Sequence, residues 1–138
     1  GQIVVSGESK GLELVEDKAR EAGARRVVRL NVSGPFHTEL MGEVAEQFKK
    51  YVDEIQIEDI AIPVISNHRS SLLYTAEEIR QELVEQLTSP VRFVDNVITV
   101  QNLGVDTLVE VSPKAVVGPL ARRTLSTLQI TLATPGGI

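Results

Sequence analysis

Two short stretches of this 138-residue chain carry groups that could do chemistry. The first runs V-S-G-P-F-H-T-E-L-M from Val32 to Met41 and sets His37 between an apolar run and an amphipathic segment. A neutral imidazole there could act as a general base near pH 7. The second, Gly7-Glu8-Ser9-Lys10-Gly11, matches the G-x-S-x-G pattern of a serine nucleophile elbow, between a strand-like and a helix-like segment. Both have plainer readings. A histidine before a helix can cap it or face water, and a serine at a helix start is a good N-cap, the role expected of Ser9. His68, the other histidine, reads as a loop residue. The histidines and Glu110 show no recognisable ligand spacing, so no metal site is expected.

The elements that must hold these groups follow from hydrophobic spacing. Gln2 to Gly7 (QIVVSG) is β-branched and closed by glycine, and Arg26 to Val32 (RVVRLNV) is similar, so both are expected as strands. Between them Leu12, Val15, Ala19 and Ala22 recur at helical spacing, with Gly23 as a stop. From Thr38 to Ile55 another apolar stripe (Met41, Val44, Ala45, Phe48, Val52, Ile55) opposes a charged, solvated face. Ile62 to Ser66 reads as a strand. Thr75 with Glu78 is a capping box for a helix through Leu87, and Ser89-Pro90 is expected to open another through Leu103, ended by Gly104. Asp106 to Val111 and Gln129 to Ala133 are the last expected strands, flanking a helix near Val116 to Leu125.

Strands alternating with helices give an α/β fold, a mostly parallel sheet with helices on both faces. In such a sheet the loops after the strands gather at one edge, where ligands bind. The residues to collect there are Ser33 to His37, Asn67 with His68, and Ser112 with Lys114. A helix beginning just after His37 would present its N-terminal dipole to the ring and disfavour imidazolium.

Composition narrows the function classes. Fourteen Lys and Arg against nineteen Asp and Glu give a net charge of −5, no footprint for a nucleic-acid backbone. The run Ala24 to Arg29 (ARRVVR) could still meet an acidic partner. The chain has no cysteine, which fits a reducing, cytoplasmic setting, and no apolar run approaches the length of a membrane span. The first residues are already strand-like and lack an initiator methionine, so a processed piece or fragment is expected.

Taken in order, GQIVVSG, AGARRVVRLNVSGPFHTELM, IPVISN, LVEQLTSPVRF and TLVEVSPKAVVGPLARR resemble the C-terminal half of malonyl-CoA:acyl carrier protein transacylases, a family related to polyketide synthase acyltransferase domains. VSGPFHTELM is the most specific stretch. The resemblance implies an acyltransferase α/β-hydrolase-like core over 33–138 and part of a small ferredoxin-like subdomain over 1–32. It implies that malonyl passes from malonyl-CoA, through a serine ester, to the phosphopantetheine thiol of acyl carrier protein, with no further cofactor. His37 matches the general base, and Gln86 in VEQLTSP matches the residue whose backbone carbonyl orients it. Phe36 resembles the version associated with malonyl substrates, and Asn67 is a further substrate-binding candidate. The nucleophile, oxyanion hole and malonyl-binding arginine of the family lie in its N-terminal half, so this chain would hold the base alone. The alternative is a carrier-protein-binding module derived from an acyltransferase that has lost the chemistry.

Overall fold

A computed structural model describes residues 2–133, which form two compact units. One comprises residues 2–60 and 75–91, the other 61–74 and 92–133.

The first unit is helical. Helix α1 is Ser9–Glu21, and the chain leaves it through Gly23 at φ 83°, a left-handed exit that glycine adopts without a Cβ penalty. Ser9 is the first helical residue and not the cap. Glu8 holds the cap position and no side chain bonds there, so the expected Ser9 cap is not formed. The two strands expected at Gln2–Gly7 and Arg26–Val32 are also absent: both stretches are irregular. A strand exists through the hydrogen bonds of its neighbour. Neither run meets one among the described residues, and Ile3, Val4, Val28, Leu30 and Val32 stand exposed. Arg29 nevertheless ties its segment to α1 by an ion pair with Glu16, whose carboxyl is held below the usual range chiefly by that hydrogen bond.

The stripe expected from Thr38 is a 3₁₀ turn, Glu39–Met41, running into helix α2, Gly42–Glu54, which buries Ala45 and Val52. Helix α3, Ala76–Glu85, packs against α2 and opens on the expected capping box: Thr75 Oγ1 accepts from the Glu78 amide and Glu78 accepts from the Thr75 amide. Asp59 accepts a further bond from the Ala76 amide at 2.8 Å.

The second unit carries the described strands. β1 (Val64–Ile65) pairs antiparallel with β2 (Leu72–Leu73), a strand that sequence periodicity does not reveal. Helix α4, Phe93–Asn102, starts after the point where Ser89-Pro90 was expected to open it. β3 (Thr107–Val111) and β4 (Gln129–Ala133) pair in parallel, joined through helix α5, Val117–Thr124. The sheet is therefore two small pieces, one parallel and one antiparallel. Val97 of α4, Ala121 of α5 and Leu128 form a core, against which Phe93, Leu108, Leu125 and Ile130 pack. Leu108 and Glu110 face that core, while Val109 and Val111, on the other side of the pleat, are exposed.

Candidate functional site

His37 sits in a turn built from its neighbours. Thr38 Oγ1 donates to the Pro35 carbonyl at 2.7 Å, and the Phe36 ring lies over Gly34, close to where a Cβ would project. His37 itself adopts φ 64°, left-handed backbone that few non-glycine residues take. Two bonds compensate, both to the C-terminal turn of α3. The His37 amide donates to the Leu87 carbonyl at 3.0 Å, and Nδ1 lies 2.7 Å from the Gln86 carbonyl oxygen.

That second contact fixes the tautomer. A carbonyl oxygen only accepts, so Nδ1 carries the hydrogen, and in the neutral ring Nε2 keeps its lone pair. The ring is exposed, so Nε2 is open to accept a proton from outside the turn. The electrostatic setting differs from the one expected. No α-helix begins at His37, and the ring meets the carbonyl end of α3, the end of a helix that attracts positive charge. His37 also follows no described strand: a helix end positions it, not a sheet edge.

The structure thus brings His37, Gln86 and Phe36 into one unit. Asn67 belongs to the other unit, in the turn between β1 and β2, where its side chain is exposed and its carbonyl accepts from the Arg92 amide at 2.8 Å. That turn is stiffened from α4. Thr99 Oγ1 donates to the Ser70 carbonyl at 2.9 Å, and the Asn96 side-chain carboxamide lies 2.6 Å from Ser70 Oγ. The His68 Nε2 accepts from Arg69 Nε at 3.1 Å. Ser9 makes no hydrogen bond to His37, whose ring is engaged by Gln86.

Glu110 is occupied elsewhere. Its carboxylate, 6% exposed, accepts from the amides of Val116, Val117 and Gly118, each at 2.8 Å, and from Ser112 Oγ. These backbone donors, first Val116, hold its carboxyl below the usual carboxylate range. Glu110 is therefore the anchor of the α5 N-terminus. Among the described residues no three His, Cys, Asp or Glu side chains cluster as a metal site, and no helix is long and apolar enough to cross a membrane.

Neither the Leu87 carbonyl nor Arg80 of α3 stands out in the sequence. Main-chain acceptors leave no mark in residue type; a lone arginine inside an otherwise amphipathic helix was the one available signal.

Comparison with known proteins shows what the chain resembles. No family model matches the chain. The malonyl-transacylase of a type II polyketide system, solved in complex with its acyl-carrier protein, superposes with a TM-score of 0.86 at 32% identity, over 96% of this chain and 42% of that one. In fold and in sequence the chain is similar to part of the acyltransferases. More particularly, it is homologous to part of the malonyl CoA-acyl carrier protein transacylases: the Bacillus subtilis enzyme of that name is 43% identical over 123 residues, 89% of this chain. The acyl-carrier-protein S-malonyltransferase of Bartonella henselae matches with a TM-score of 0.89 at 31% identity, over 94% of this chain and 41% of that one. The chain spans about two fifths of the length of the curated relatives it matches.

Proposed function

We propose that this chain is the C-terminal, base-bearing part of a malonyl-CoA:acyl carrier protein transacylase. The observation that carries the reading is the 2.7 Å contact between His37 Nδ1 and the Gln86 carbonyl, which leaves Nε2 free as a proton acceptor. Relatives of that name along 89% of the chain supply the reaction class.

In this reading a serine from the part of the enzyme outside this chain attacks the thioester of malonyl-CoA while Nε2 of His37 takes its hydroxyl proton. The tetrahedral intermediate collapses, the C–S bond breaks, and the imidazolium returns the proton to the departing CoA sulfur. The phosphopantetheine thiol of acyl carrier protein then gives its proton to Nε2 and attacks the serine ester. Malonyl leaves as a thioester, and serine recovers its proton. The Gln86 carbonyl steadies the imidazolium that forms twice in the cycle. No cofactor is needed beyond the two substrates. The malonyl-transacylase solved with its acyl-carrier protein supports the choice of partner. Phe36, beside the base, and Asn67 are the substrate-binding candidates of this chain.

The finer architecture belongs to the same reading. The β3–β4 pair would be part of a larger, mostly parallel sheet with helices on both faces, which the exposed Val109 and Val111 support, since parallel strands are covered on both sides. Residues 33–138 would complete an α/β-hydrolase-like core, and residues 1–32, with their unpaired β-branched runs, a ferredoxin-like subdomain. The enzyme would work in the cytoplasm.

The test is His37→Ala in the complete polypeptide. Serine acylation by malonyl-CoA, followed as a burst, should slow by about two to four orders of magnitude, the worth of a positioned general base. Acylation at more than about a third of the native rate, far outside that range, would remove His37 from the mechanism.

A further inference from the structure

The segment bearing α2 is fastened to α3 at both of its ends. At one end His37, just ahead of α2, is bonded to the Gln86 and Leu87 carbonyls at the close of α3. At the other end Arg80 of α3 reaches the close of α2: Nη1 donates to the Val52 carbonyl and Nη2 to the Ile55 carbonyl, the latter at 2.7 Å. The last carbonyls of a helix have no partner within it, and a guanidinium offers several donors in a rigid fork that can serve two at once.

We propose that Arg80 is a positioning residue for His37. Arg80 and Gln86 stand six residues apart on one helix-and-cap run, about 9 Å along the axis at the usual rise. The guanidinium therefore sets the far end of α2 against the same helix whose last turn receives the imidazole. Without the clamp α2 is still held by its buried Ala45 and Val52, but it is free to pivot. A pivot changes the direction in which the loop ahead of α2 delivers the ring. The Nδ1–Gln86 bond is short and directional, so the tautomer and the aim of Nε2 depend on it. The inference rests on His37 being the base.

The test compares Arg80→Met, Arg80→Lys and Asp59→Ala with the native protein, all in the complete polypeptide. The readouts are 15N NMR of the His37 ring, thermal melting, and burst acylation with malonyl-CoA. The native ring should show a protonated Nδ1 and a bare Nε2. Arg80→Met should mix the tautomers and slow acylation by about tenfold to a hundredfold, the range expected when a reacting group is slightly misplaced, with KM little changed. Arg80→Lys should fall between, because one ammonium replaces a two-pronged fork. Asp59→Ala loosens α3 at its other end and serves as the stability control: it should lower the melting temperature and leave the tautomer alone. A folded Arg80→Met with the native ring signature overturns the proposal, and so does a tautomer shift of equal size in Asp59→Ala. Should Arg80→Met fail to fold, Arg80→Lys is read by the same criterion. The ring spectrum needs no activity, so it stands apart from the His37→Ala test: acylation surviving in His37→Ala sinks the assignment of the base, whereas a native spectrum without the clamp sinks Arg80 alone.

Discussion

His37 Nδ1 donates to the main-chain carbonyl of Gln86 at 2.7 Å, so the group that orients the imidazole is a peptide oxygen at the end of a helix, where a Ser-His-Asp triad sets a carboxylate. The oxygen is neutral, always ionisation-silent, and fixed by the geometry of α3. Its contribution is direction more than charge.

Side-chain identity at position 86 should accordingly matter little. Gln86→Ala should keep most of the malonyl-transfer rate of the complete polypeptide. Leu87→Pro should abolish most of it, because the ring removes the Leu87 amide that bonds the Val84 carbonyl and forces residue 86 away from helical backbone. Steady-state rates of the two variants, with circular dichroism to confirm folding, check the contrast. A severe loss in Gln86→Ala alone would move the role to its side chain.

The 138-residue chain by itself should show no malonyl transfer. On the proposed reading the chain carries the base without its nucleophile and oxyanion hole, the parts that carry acyl transfer, and Ser9, the one residue in an elbow-like pattern, makes no bond to His37. Mass spectrometry after incubation with malonyl-CoA should find no malonyl ester. An ester that disappears in Ser9→Ala would show that the pattern is functional.

Glu110 should make stability depend on acid. Its carboxyl is depressed in the folded state, so its contribution is present above the ordinary unfolded value of 4.5 and is lost as pH falls through the folded value. Glu110→Gln should therefore lower the melting temperature at pH 7, and the gap from the native protein should close below pH 4.5 as the native carboxylate gathers its proton. Thermal melts across that window measure it. A gap that stays constant down to acid would mean the amides of Val116 to Gly118 gain nothing from the charge.

Gly118 should tolerate no Cβ. A methyl there would lie 2.5 Å from Ile130 Cγ2 and 3.0 Å from a Glu110 carboxylate oxygen, so α5 would have to lift from β4. Gly118→Ala should cost about 1–3 kcal/mol, the usual range for overpacking, read from urea denaturation. An unchanged midpoint would show that α5 can shift freely.

Much of this was legible in the residues. The capping box at Thr75 and Glu78, the helical stripes of α1 and α2, and the strands at Thr107–Val111 and Gln129–Ala133 stand where local patterns put them. Local rules also failed in an intelligible way. QIVVSG and RVVRLNV have strand composition, but pairing is decided by a neighbour that composition cannot supply. Leu72–Leu73 shows the converse: a strand defined by its partner Val64–Ile65 and by little of its own. Near the site, VSGPFHTELM pointed to His37, while its backbone angle and its attachment to α3 had no sequence signal, because one is a torsion and the other runs through main-chain carbonyls.

On the proposed reading, the left-handed backbone at His37 would set a trade between durability and turnover. Holding a residue with a Cβ at φ 64° costs on the order of 1–2 kcal/mol, and glycine would adopt the same angle almost freely. A laboratory screen that rewards only heat resistance would thus be drawn toward glycine at position 37, gaining firmness while discarding the imidazole. If His37 is the base, any effort to harden this protein by random substitution needs a catalytic readout beside the thermal one, since at this position the two would point in opposite directions.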